Sequence, residues 1–107
     1  MRVVSGIARG RKLKTPAGNE VRPTADSVKE AVFNILRDDV EGRRVLDLFA
    51  GSGQMGIEAL SRGAKEAVFV DVSRTSLKLV KNNLALCGFQ AETVREDALS
   101  YLRYASP

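Results

Sequence analysis

The chain has 107 residues, with 17 Lys and Arg against 13 Asp and Glu, no His, no Trp and a single Cys. That length suits one small core, and 44% hydrophobic with 28% charged residues reads as a soluble globular protein rather than a disordered or membrane chain. Without His or a second Cys there is no Ser-His-Asp triad, histidine base, internal disulfide or Cys/His zinc site, which leaves carboxylates, backbone groups or a borrowed cofactor to carry chemistry.

In chain order, Arg2 to Ala8 and Lys12 to Thr15 read as two short strands of a hairpin turning at Arg9-Gly10-Arg11. Pro16, Gly18 and Asn19 form a loop. Thr24 or Asp26 caps a helix that runs to about Arg37, with Val28, Ala31, Val32, Ile35 and Leu36 as its apolar stripe. This amino-terminal part is basic: residues 1–37 hold eight Lys and Arg against three acids, whereas residues 38–107 are almost neutral, with nine against ten. A basic head of that kind suits a polyanion, because phosphate contacts release counterions.

From Arg44 the pattern alternates. Val45 to Phe49 is an apolar strand, a Gly-rich turn follows, and a helix covers Gln54 to Arg62 and stops at Gly63. Ala67 to Val72 is a second strand. Arg74 to Cys87 is a helix with Leu77, Val80, Leu84 and Cys87 on one face, and Cys87 reads as a small buried hydrophobe. Ala91 to Arg95 is a third strand, and Ala98 to Arg103 a short helical turn. Strands and helices at this spacing imply an α/β, Rossmann-like parallel sheet behind an amino-terminal hairpin and helix. The expected organisation is a basic unit over 1–40 and a cofactor-binding unit over 41–107.

The segment Asp47 to Gly56 (DLFAGSGQMG) carries the chemistry. Its glycines let a ligand approach the backbone at a helix N-terminus. Gly51, Gly53 and Gly56 with Asp71 also satisfy a dinucleotide fingerprint, so a dinucleotide-dependent oxidoreductase is one reading. Asp47 opposes it, since a carboxylate four residues before Gly51 would repel a pyrophosphate and suits a cationic ligand such as S-adenosylmethionine. Asp71, at the second strand's end, is placed for ribose hydroxyls, and Asp97, past the third strand, for the adenine amine. Glu58 either faces this cleft or pairs with Arg62 at i+4.

Taken together, Met1-Arg2-Val3-Val4-Ser5-Gly6, Arg9-Gly10-Arg11-Lys12-Leu13, Arg22 to Leu36, Val45 to Gly56 and Glu58 to Ala64 resemble the bacterial 16S rRNA guanine-N2 methyltransferase family of the RsmD type, from Met1 to about Arg103. The resemblance implies a class I fold, S-adenosylmethionine as cofactor and a guanine of small-subunit ribosomal RNA as substrate. It implies that Asp47, Phe49, Ala50, Gly51, Ser52 and Gly53 lie near the methionine part, Asp71 at the ribose, and Asp97 and Ala98 at the adenine. Arg2, Arg9, Arg11, Lys12 and Lys14 become RNA contacts, with Arg22 and Thr24 closing the pocket. The partner is then 16S rRNA or a small-subunit assembly intermediate, in the cytoplasm.

Two departures stand out. Ser27 occupies a position where many relatives carry Arg or Lys. The family's Asn/Asp-Pro-Pro-aromatic catalytic turn is missing, for the only prolines are Pro16, Pro23 and Pro107. The expectation is therefore an amino-terminal part of a methyltransferase, truncated after the third strand and inactive alone. Its first strand, Val45 to Phe49, would be an open edge able to pair with another copy. The rival readings are the oxidoreductase above, a non-catalytic RNA-binding module, and a methyltransferase acting on DNA or another RNA.

Overall fold

The computed structural model describes residues 1–15 and 26–104. The Pro16-Gly18-Asn19 loop, Arg22, Thr24 and the proposed Thr24 cap lie outside them. The elements are helix α1 (Asp26–Leu36), a 3-10 turn (Arg37–Asp39), strand β1 (Arg44–Asp47), helix α2 (Gln54–Ser61), strand β2 (Glu66–Asp71), helix α3 (Arg74–Cys87), strand β3 (Glu92–Arg95) and helix α4 (Ala98–Tyr104).

The three strands form one parallel sheet in the order β1-β2-β3. Asp47 lies opposite Phe69 and Asp71 opposite Arg95, so the carboxyl ends of the strands share one edge. Ala67 and Phe69 are fully buried beneath the crossover helices. At Gly56 a Cβ would lie 2.3 Å from the Phe69 ring, so α2 can approach β2 this closely only with glycine at that position. Val80 of α3 packs beside Gly53 and Ile57 and closes the layer. On the opposite sheet face Leu46, in register with Val68, is 41% exposed at the β1 edge, whereas Val70 of β2 is fully buried.

Three sequence expectations change. The amino-terminal hairpin is a single antiparallel bridge, Arg2 with Lys12, rather than two strands. Met1, Val3, Arg11 and Leu13 supply its hydrogen bonds, and residues 5–10 are turn and bend. The reason is that Val4, Ser5, Ile7 and Ala8 give their amides to α2 instead of to a partner strand. In α1 the buried residues are Lys29 and Phe33; Val28 and Ile35 are 50% and 82% exposed. The core-facing stripe is thus rotated from the expected one, because a buried ion pair takes the place of an aliphatic contact. The first strand ends at Asp47, and Phe49 stands 82% exposed in the turn.

Nearly all of α2 is buried, including Glu58 and Ser61. It lies between the sheet and residues 1–8, so its polar face meets backbone amides in place of water. Val3, Ala8 and Leu13 consequently join the same core cluster as Ile57, Phe69 and Val80.

Candidate functional site

The site is assembled at the carboxyl edge of the sheet. Asp47 ends β1 and its Oδ2 accepts the Gly56 amide at 3.3 Å; Phe49 also donates to it. Asp71 ends β2. Its Oδ2 accepts the Gly51 amide at 3.0 Å, and its Oδ1 accepts the Ser73 amide at 2.8 Å. Asp47 therefore ties together the start and the end of the turn 47–56, Asp71 holds its middle at Gly51, and the Ala50 amide bonds Val70 O and fixes the turn against β2. Gly51 and Gly53 have φ of +55° and +84°, a region that side chains with a Cβ seldom occupy.

Burial raises the Asp47 carboxyl above its ordinary value. The amides of Gly56 and Phe49 oppose that rise, and the neighbouring Asp71 charge adds to it. A half-buried carboxylate of this kind is stabilised by a cation and penalised by a phosphate. Each oxygen of Asp71 retains acceptor capacity beyond the one amide it holds, enough for hydroxyl donors. These residues fit S-adenosylmethionine: a carboxylate for its positive end, a glycine turn for close approach, and a second carboxylate for a ribose.

Asp97 lies two residues past β3 and is exposed. Its Oδ2 accepts the Ser100 amide at 3.1 Å, so it caps α4, with Ala98 as the first helical residue. Ala50, Ser52 and Gly53 are buried, and Phe49 points outward. The site is thus brought together by Asp47, the turn and Asp71, with Asp97 farther along the same edge.

Sequence reasoning missed Asn83. This side chain of α3 is fully buried. Its Oδ1 accepts the Lys14 amide at 2.7 Å, and its Nδ2 donates to Lys14 O at 3.0 Å and to Ser52 O at 2.9 Å. One amide therefore joins the basic amino-terminal segment to the glycine turn. The available signal was a polar residue between Val80 and Leu84 on an otherwise apolar helix face.

The alternatives for Glu58 resolve in favour of the pair. Its Oε2 is 2.9 Å from Arg62 Nε, and it faces the amino-terminal turn rather than the cleft. It also accepts the amides of Val4 and Ser5 and lies 3.6 Å from the buried Lys29 ammonium, which in turn donates to Arg2 O. Arg62 stacks over the Phe33 ring, 4.7 Å from its centroid. Of the basic residues, Arg2 is paired with Asp26 at 3.1 Å, whereas Arg9, Arg11, Lys12 and Lys14 are exposed. Cys87 is only partly buried against the core; burial pushes its thiol up, with the charge of Arg11 opposing.

Comparison with known proteins gives a consistent picture. A family model described as "Conserved hypothetical protein 95" matches residues 1–106. The chain is 47% identical to the Bacillus subtilis protein YlbH, which bears a provisional rRNA methyltransferase name, covering 99% of this chain and 59% of that one. It is 42% identical to the Escherichia coli K12 protein named Ribosomal RNA small subunit methyltransferase D, covering 95% of this chain and 52% of that one. A solved structure of a hypothetical protein from Thermus thermophilus superposes with a TM-score of 0.87 at 38% identity, over 98% of this chain and 60% of that one. The chain thus spans between half and three-fifths of the length of these proteins.

Proposed function

Since the chain belongs to the Conserved hypothetical protein 95 family, the family of the small-subunit rRNA methyltransferase D proteins, we propose that it is the cofactor-binding part of an S-adenosylmethionine-dependent enzyme that methylates guanine N2 in small-subunit rRNA. The observation that carries this reading is the pair Asp47 and Asp71 gripping the glycine turn at the ends of adjacent parallel strands.

In this reading Asp47 and the backbone of Phe49, Ala50, Gly51, Ser52 and Gly53 hold the methionine part, Asp71 the ribose, and Asp97 with Ala98 the adenine. S-adenosylmethionine, when bound, supplies a methyl group already activated on a sulfonium. The protein's task is then alignment more than acid-base chemistry, which agrees with a chain that has no His. Arg2, Arg9, Arg11, Lys12 and Lys14 contact the RNA backbone, with Arg2 also paired to Asp26. The Asn/Asp-Pro-Pro-aromatic turn that the family resemblance implies is not among these 107 residues. The compartment that fits such a substrate is the cytoplasm. Pairing of two copies through the open β1 edge is a further partner reading.

Calorimetry with S-adenosylhomocysteine and with NAD tests the proposal. Binding of the first and not the second is expected. Binding of NAD alone would replace the reading with a dinucleotide enzyme, and RNA binding without any cofactor affinity would leave an RNA-binding module.

A further inference from the structure

The near-neutral sum over residues 38–107 conceals a sorting of charge in space. Asp47, Asp71 and Asp97 collect at the carboxyl edge of the sheet. On the flank between α3 and β3 the structure instead opens a groove of ≈ 370 Å³, lined by Arg74, Lys78 and Lys81 of α3, Arg95 of β3, and Leu77 and Thr93. No carboxylate lines it. Arg74, Lys78 and Lys81 are exposed and have no ion pair among the described residues, while Arg95 Nε donates to Val72 O at 3.1 Å.

Arg74, Lys78 and Lys81 stand at i, i+4 and i+7 of one helix, a spacing at which like charges repel and weaken the helix unless something neutralises them. The basic amino-terminal segment is held on a different flank of α3, through Lys14 at Asn83. The groove is therefore a separate cationic surface, and it begins at Arg74, three residues after Asp71.

We propose that this groove is a second RNA-binding surface, which takes the sugar-phosphate backbone of the substrate RNA beside the cofactor edge. It deepens the methyltransferase reading and rests on it. Exposed cations above a floor of the buried Leu77 and the partly buried Thr93 match a flexible polyanion, whose phosphates meet Arg and Lys.

The test compares the wild-type chain with an Arg74→Gln/Lys78→Gln/Lys81→Gln variant in a salt series with purified 16S rRNA. All three positions are on the surface, and a thermal melt checks that the variant folds. The expected result is at least a tenfold loss of RNA affinity at about 0.1 M salt, with the slope of log K against log salt reduced by about 2, since each phosphate contact contributes roughly 0.7–0.9. Wild-type RNA binding with an unchanged affinity and slope in the variant overturns the groove alone. No RNA binding by the wild-type chain under any condition overturns the RNA reading itself. A loss confined to anionic phosphatidylglycerol vesicles, with RNA binding intact, also overturns the groove as an RNA surface.

Discussion

Asp47 is a residue whose burial works against the fold. Its carboxyl is raised by burial, so the free energy of the folded chain is penalised at neutral pH, where the carboxylate is charged. The penalty vanishes once the pH falls below the ordinary carboxylate value of about 3.9, because the group is then neutral in both states. Asp47→Asn keeps an acceptor for the Gly56 amide and removes the charge. It is expected to raise Tm by a few degrees at pH 7, with the gain shrinking to nothing near pH 3, and to weaken S-adenosylhomocysteine binding about tenfold or more. A melt across pH combined with calorimetry checks both halves. Asn83 is the opposite case, for stability and site depend on it together. Asn83→Ala leaves the Lys14 amide and Ser52 O without their buried partner and should cost about 2–3 kcal/mol in a denaturant titration. It should also loosen the turn and lower cofactor affinity. Asp47 and Asp71 were legible in the sequence because they fall at strand ends, and Asp97 because it lies just past the third strand, strictly local signals. Asn83 was not, since its partners are 31 and 69 residues away.

Among the elements, α3 was readable from end to end. Ser73 caps it through the Ser76 amide at 3.1 Å, Gly88 ends it at φ +74°, and its apolar spacing is regular. Helix α1 was not, because its buried face includes Lys29, whose burial makes sense only once Glu58 is in place. Removing one partner of such a pair strands the other's charge, so Glu58→Ala should destabilise the chain by about 3–5 kcal/mol. Its effect should fall first on residues 1–8, where amide hydrogen exchange would accelerate. Gly6 tightens the same joint: at φ +91° a Cβ there would lie 1.9 Å from Ser61 O, so no side chain can replace it without moving the turn. Strand β1 is the element on which pairing of copies turns. If two copies associate along its edge, Leu46→Lys, at a position already 41% exposed, should shift sedimentation to the monomer without lowering Tm.

At the scale of the molecule, the sheet, the crossovers and the carboxyl edge followed from strand and helix periodicity, and the basic head from the count of charges along the chain. The way that head is fastened did not, because it relies on side-chain to backbone bonds that leave no periodic trace. The bonds are Val4 and Ser5 to Glu58, Ala8 to Ser61 and Lys14 to Asn83, and they span 53 to 69 residues of sequence. The sheet, in contrast, pairs each strand with the one just before it in the chain. Closing the shorter loops costs less entropy, so the strands and α3 can organise before the first fifteen residues have anything to dock on. Residues 1–15 are then expected to be the last piece to settle and the first to open. The segment proposed to meet the ribosomal RNA would be secured only after the glycine turn that Asn83 joins to it is built, so its docking reports on a finished turn.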